Sequence, residues 1–313
     1  MHCAFQSKPM FYRMLFYGQI AGFTIIIALH TSCTDAVKSY YEKMYTSEMY
    51  VHSGYKLDAP DRSFRLPQSL VEISGLSCVN DTHLVAVQDE NGILYVINIE
   101  NGNIERELKF GKKGDYEGVE YVDGKIYVLK SDGSVFHFKY PEAAVEEIKV
   151  KKIETPLSKK NDVEGLGYDP LNHALLFACK ADGNLGRDKR KGRSVFTYDL
   201  KRKIFKKKPL YVVSIKKIKE FASENNIKLP KNVNFRPSAI ALHPLTNRIY
   251  LLAHTGKSLL VLNREGDIVE YYRLNPSIFR QPEGICFSSD GTLYISNEGR
   301  GQPANILIFS YSR

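Results

Sequence analysis

No Cys-x-x-Cys pair and no zinc-ligand spacing occurs in this 313-residue chain, which removes a thioredoxin-type redox centre and a structural zinc site from consideration. The five cysteines, Cys3, Cys33, Cys78, Cys179 and Cys286, lie far apart. The last three fall in predicted strands of different repeats and are odd in number, so they read as small buried hydrophobes rather than as a disulfide set. Signatures of common enzymes are missing too. There is no Gly-x-Ser-x-Gly elbow and no His-Glu-x-x-His helix, and Gly256-Lys257-Ser258 lacks the upstream glycine of a phosphate loop. The apolar run at 14–29 is short for a membrane span and is interrupted by glycine.

What that run matches is the core of a signal peptide, since Lys8 and Arg13 precede it. It stops at Leu29-His30-Thr31-Ser32-Cys33, which resembles the lipobox of bacterial lipoproteins, with a small residue directly before the cysteine. Residues 1–33 are therefore expected to be a lipoprotein signal peptide whose Cys33 carries the lipid, with acyl chains enough for stable anchoring. An uncleaved signal anchor is the alternative. Residues 34–54, polar and rich in tyrosine, read as a tether, and 55–313 as the folded domain. On this reading the domain is a monomer held by lipid to a membrane of the bacterial cell envelope, outside the cytoplasm.

The net charge of +9 belongs to one region: residues 187–219 hold fourteen Lys and Arg against Asp188 and Asp199, so the rest of the chain is slightly acidic. Such a stretch could attract phosphates on lipids, polysaccharide or nucleic acid. It reads instead as a solvated insertion whose lysines keep an edge strand from pairing with other chains, and no nucleic-acid partner is expected.

An acid or hydroxyl, a small residue and an aliphatic recur together as Ser74-Gly75-Leu76, Glu117-Gly118-Val119, Glu164-Gly165-Leu166, Ser238-Ala239-Ile240 and Glu283-Gly284-Ile285. Their spacings of 43, 47, 74 and 45 residues are, with one exception, about the length of a four-stranded blade. Short segments of period two follow each copy, separated by turns such as Asn91-Gly92, Asp123-Gly124 and Asp290-Gly291. The pattern predicts an all-β, five-bladed β-propeller, with six blades as the alternative if the long interval hides another. In the second repeat the strands are expected at 118–122, 126–129, 135–138 and 145–150, and the outer strand of the third at 210–214. The third repeat absorbs the long interval through a basic loop at 183–192 and a helix at 215–226, where Ile215, Ile218, Phe221 and Ala222 fall at helical spacing. The last repeat is one strand short. Residues 55–67 echo 272–282, which lead into that repeat, so the segment 55–66 is expected to supply the missing strand and close the ring.

In such a ring the inner strands and the ends of the second strands converge on one mouth of the central channel. Residues two apart share a strand face, which pairs Glu72 with Ser74, Asp115 with Glu117, Asp162 with Glu164, Arg236 with Ser238 and Gln281 with Glu283. At the ends of second strands stand Asp89, Glu90, Lys130, Lys180, His254, Asn297 and Glu298. Several carboxylates near one axis raise each other's pKa unless a cation offsets them. A divalent ion such as calcium would do so, with Asp89, Glu117, Glu164, Glu283 and Glu298 as candidate metal ligands. Lys130, Lys180 and Arg236 would do so equally, as a salt-bridged plug between blades. The remaining mouth residues, Glu72, Ser74, Glu90, Lys130, Lys180, Ser238, His254 and Asn297, are candidates to line a ligand site, with His254 a possible general base. No catalytic set emerges.

The elements Glu72-Ile73-Ser74-Gly75-Leu76, Asp89-Glu90, Asp115-Tyr116-Glu117-Gly118-Val119, Asp162-Val163-Glu164-Gly165-Leu166 and Gln281-Pro282-Glu283-Gly284-Ile285 together resemble the SdiA-regulated family of bacterial envelope β-propellers, from Leu66 to the C-terminus. The resemblance implies a secreted or membrane-anchored propeller of unsettled activity. The last repeat, with Pro282-Glu283-Gly284 and Asp290-Gly291-Thr292-Leu293-Tyr294, is also similar to gluconolactonase-type and esterase-like phytase propellers, which use metal ions. The sequence is therefore expected to encode an envelope lipoprotein that binds a small ligand or an envelope protein at the channel mouth, with a calcium ion as candidate cofactor. A calcium-dependent hydrolase of phosphate esters or lactones is the alternative.

Overall fold

Period-two apolar segments joined by Gly-containing turns pair with their sequence neighbours, and each resulting sheet has two faces to bury. The computed structural model describes residues 54–312, apart from 142, 144–146, 182 and 186–190. The expectations for the leader, for Cys33 and for nearly all of the tether fall outside the described residues. A first strand, β1 (Arg62–Arg65), and a 3-10 turn at Gln68–Leu70 precede blade one, built from β2 (Ile73–Cys78), β3 (His83–Gln88), β4 (Ile93–Asn98) and β5 (Ile104–Lys109). Blade two has β6 (Tyr116–Val122), β7 (Lys125–Lys130), β8 (Val135–Lys139) and β9 (Lys151–Ile153). Blade three has β10 (Val163–Asp169), β11 (Ala174–Cys179), β12 (Arg193–Asp199) and β13 (Ile204–Val213), followed by helix α1 (Ile215–Glu224). Blade four has β14 (Ala239–Leu242), β15 (Ile249–Ala253), β16 (Ser258–Leu262) and β17 (Ile268–Arg273), and blade five has β18 (Pro282–Phe287), β19 (Leu293–Asn297) and β20 (Asn305–Phe309).

The sheet order β1-β20-β19-β18 makes the first strand the outermost one of the last blade, with Arg62 opposite Ile308 and Arg65 opposite Asn305. Each inner strand packs on the next, and β18 returns to β2, so the ring has five blades and no sixth. Five apolar clusters fill the five interfaces between neighbouring blades. Ahead of β1, Tyr55 and Leu57 are buried between blades four and five. The Tyr55 hydroxyl donates to the Gly291 carbonyl and lies 2.8 Å from His243 Nε2. His243 Nδ1 accepts from the Leu245 and Thr246 amides at 3.1 and 3.2 Å, which leaves the proton on Nε2, pointing at Tyr55. The closing segment is thus tied in by side chains as well as by a ladder.

Helix α1 matches its expectation: Ser214 caps it, accepting from Lys217 N at 3.2 Å, and Ile218 and Ala222 are buried. Two outer strands do not. In blade two the apolar residues at 145–150 suggest the fourth strand, yet the ladder is made by Lys151–Ile153. In blade three Tyr211–Val213 pair with Val195–Arg193 where a strand is expected, but the strand begins earlier, at Ile204, and between the pairs Thr197–Lys206 and Val195–Tyr211 the residues 207–210, Pro209 among them, bulge from the ladder. Both differences have one cause: an outermost strand has an open edge and little face to bury, so apolar patterning does not fix its bounds.

The repeated glycine has a steric origin. A Cβ on Gly75 would lie 2.8 Å from Gly118 Cα and Val119 N, and one on Gly118 would lie 2.9 Å from Leu166 Cβ. Inner strands of successive blades are that close at the axis. Cys179 and Cys286 are buried and Cys78 half-buried.

Candidate functional site at the channel mouth

The register of the inner strands shifts between Ile73 and Gly75, Tyr116 and Gly118, Val163 and Gly165, and Pro282 and Gly284. Ser74, Glu117, Glu164 and Glu283 are therefore the bulged residues, each set at the point where its strand leaves the ladder. A bulge breaks the period of two and re-aims one side chain. Simple alternation along the sequence does not anticipate this; the Glu-Gly or Ser-Gly dipeptide is its signal, because a bulge favours an adjoining glycine.

Between the inner strands the channel is nearly closed. Its cavity, bordered by Ser74, Glu117, Glu164, Ala239 and Gly284 among others, has a volume of about 10 Å³, room for about one water molecule. A ligand of any size must therefore sit on the mouth and not within the channel.

The mouth residues fall into two groups. Ser74 and Ser238 are buried stitches between blades: Ser74 Oγ donates to the Tyr116 carbonyl at 2.7 Å and Ser238 Oγ to the Pro282 carbonyl at 2.8 Å. Asn297 is wholly buried inside blade five, its amide donating to Asn305 Oδ1 at 2.9 Å and to the Ile278 carbonyl at 3.3 Å. The second group is charged. Lys180 pairs with Glu164, His254 Nδ1 stands 3.3 Å from Glu283 Oε1, and the Gln281 amide donates to Glu298. Lys130 lies over the Tyr116 ring, 5.7 Å from its centroid. Glu72 and Glu90 are exposed at the rim. Sequence reasoning missed Lys257, whose ammonium donates to the Arg280 carbonyl and feels the charge of Glu283.

Burial and mutual repulsion govern the acids. Burial, with Glu164, Asp115 and Glu283 nearby, pushes the Glu117 carboxyl up to about 9, so that at neutral pH it is protonated and bonded to Asp115. Burial also raises Glu164, to about 8, against the opposing pull of Lys180. Asp89 rises to about 6 through burial and the charges of Glu72, Glu298 and Glu90, and its Oδ1 is buried without a hydrogen-bond partner, as is Gln281 Oε1. Glu298 is likewise raised, by burial and by Glu283. Among the described residues, no three His, Cys, Asp or Glu side chains are grouped so as to hold a metal ion. The five candidate metal ligands thus divide: Glu164, Glu283 and Glu298 are already engaged by Lys180, His254 and Gln281, whereas Glu117 and Asp89 have no basic partner among the described residues.

Such a molecule is a five-bladed β-propeller with a cluster of acids at the mouth of a nearly closed channel. It belongs to the SdiA-regulated family, whose profile matches residues 51–300. Solved structures share the fold at low identity. Glutaminyl cyclase from Myxococcus xanthus is 12% identical with a TM-score of 0.51, over 80% of this chain and 94% of that one. A luciferin-regenerating enzyme is 9% identical with a TM-score of 0.49, over 80% and 95%. Virginiamycin B lyase from Staphylococcus aureus is 15% identical with a TM-score of 0.43, over 80% and 73%. Among curated proteins none matches significantly.

Proposed function

We propose that this propeller is a binding domain, anchored in the cell envelope by a lipid on Cys33, that receives a cationic group at the mouth of its channel. The observation that carries the reading is Glu117. It sits on a bulge among Asp115, Glu164 and Glu283, held neutral by burial and by those acids, with no basic partner among the described residues. A cation arriving there would replace its proton and offset the neighbouring acids. Calcium, with its preference for carboxylate and carbonyl oxygens, is the metal form of this ligand; an amine or guanidinium is the organic form.

Melting curves at pH 8 with calcium, with a polyamine and with chelator test the reading. A hundredfold excess of the right cation over its dissociation constant stabilises the fold by about 3 kcal/mol, and Glu117→Gln removes that gain. Binding should tighten between pH 7 and 9, as the competing proton leaves Glu117. A wild-type midpoint indifferent to every cation would leave the acids as a structural plug. For the anchor, labelled fatty acid should enter the wild type and be lost in Cys33→Ser.

A calcium-dependent hydrolase is the second reading, and one contact favours it: the His254–Glu283 pair, an arrangement in which a carboxylate orients a general base. Phosphate-ester or lactone turnover abolished by His254→Gln would establish it.

A further inference from the structure

Blade two is the thinnest of the five, because its outer strand β9 has only three residues. On the face of β7 and β8 turned toward blade three, Leu129 and Val135 are covered by the interface cluster. Further along the same face the two blades diverge. There Lys125 stands directly opposite Lys139, and Tyr127 opposite His137, which in turn pairs with Lys151 on β9. The gap is a groove of about 850 Å³, within the size range of ligand sites. Its floor is aromatic and apolar, formed by Tyr127 and His137 together with Tyr198, Leu200 and Phe205 of blade three. The Tyr127 and His137 rings are stacked, 5.4 Å apart and 14° from parallel.

Its rim carries one sign of charge. Among the described residues, Lys125, Lys139, Lys149, Lys151, Lys152 and Lys203 line it against a single acid, Glu154, which pairs with Lys152 at 2.7 Å. Like charges directly opposite on paired strands oppose folding, so the Lys125–Lys139 pair is a cost to the apoprotein that an anion would relieve. Five of these lysines stand on blade two and one, Lys203, on blade three, and among the described residues neither an Arg nor a helix lines the groove. A row of cations suits acidic groups repeated along a chain better than one phosphate, which an Arg fork holds best, and the half-buried His137, Leu200 and Phe205 offer apolar surface beside them.

We propose that the groove between blades two and three binds an acidic oligosaccharide, its carboxylate or sulfate groups held by Lys125, Lys139, Lys151 and Lys203 and its rings laid against His137, Leu200 and Phe205. This site is separate from the channel mouth and opposite to it in charge preference.

Isothermal titration of the full-length protein with hexagalacturonate and with a sulfated heparin hexasaccharide tests the proposal, with maltohexaose as neutral control. At least one acidic hexasaccharide should bind, more weakly as salt rises, and maltohexaose should not. The exposed double substitution Lys125→Gln/Lys139→Gln should weaken binding tenfold or more without lowering the melting temperature. Lys217→Gln/Lys219→Gln, the same charge change on α1 outside the groove, should alter it less than twofold. Absence of binding by both acidic sugars, or equal loss in both double variants, would overturn the proposal. So would maltohexaose binding as tightly, or ATP competing at equal affinity, since the groove would then read neutral sugars or isolated phosphates.

Discussion

Replacing Tyr55 by phenylalanine removes one oxygen and isolates the contribution of ring closure. Tyr55 is 6% exposed, and its hydroxyl links the Gly291 carbonyl to His243 Nε2. The phenyl ring left by the substitution would still fill the space beside Tyr250, Phe287 and Tyr311, so the apolar contribution persists. What is lost is a partner for the His243 N–H, on a side chain with no exposed surface, and for a carbonyl. Leaving a buried polar group unsatisfied costs about 1–3 kcal/mol, so the pair sets an expected loss of roughly 2–6 kcal/mol. At roughly 2–4 °C per kcal/mol for a domain of this size, the melting temperature should fall by about 4–24 °C. Calorimetry at pH 7.5 is the suitable assay, because burial holds the His243 pKa down at about 4 and the ring is neutral there. The depressed pKa makes the unfolded chain take up this proton first. Stability from His243 is complete above about 6.5 and is lost as pH falls toward 4, by about 3 kcal/mol in all. A Tyr55→Phe melting temperature within 2 °C of wild type, on the order of measurement scatter against the expected fall, would show that residues 55–57 do not close the ring.

Three further outcomes are expected. A chain beginning at Val71 loses β1 and the buried Tyr55, Leu57, Leu66 and Leu70 and should melt far lower or aggregate through the bared edge of β20, whereas one beginning at Ser53 should melt like the full chain; equal midpoints would contradict the observed pairing. Glu117→Gln should make urea stability less dependent on pH. The raised pKa of about 9 makes wild-type stability fall as pH rises from about 4.5 toward 9, so the variant should gain on the order of 5 kcal/mol at pH 8 and little at pH 5, and an equal difference at both pH values would refute the assignment. Gly75→Ala should cost about 1–3 kcal/mol by overpacking, since its Cβ would meet the Gly118 and Val119 backbone; an unchanged denaturation midpoint would show that the inner strands have room to part.

Much of this architecture is legible in the chain itself. The recurring Glu-Gly and Ser-Gly openings, the turn glycines and the echo between 55–67 and 272–282 are local features, and they predict five blades, the helix after Ser214 and closure by the N-terminal segment. They do so because hairpins pair neighbours in sequence, so a strand's partner lies within a turn of it. The same features bring Glu117, Glu164 and Glu283 to one mouth, since equivalent positions of a repeat occupy equivalent places in a ring.

Which acids are paired, and which are not, was decided by the tertiary structure. Glu164 and Glu283 carry the same motif as Glu117, but Lys180 and His254 follow the second strands of their blades or of the neighbouring one, and Lys130 turns to the Tyr116 ring instead. Asn297, at the end of a second strand like the others, is drawn into the blade by Asn305. The groove is the clearest case. Lys125, Lys139 and Lys151 are ordinary lysines in the sequence and Lys203 is one of many in the 187–219 stretch, and they line one groove only because β9 is short and blades two and three part at that point. Backbone pairing is set by near neighbours and survives translation into sequence patterns. Side-chain partnerships across an axis or a gap depend on distances between segments far apart in the chain, and those exist only once the ring has closed.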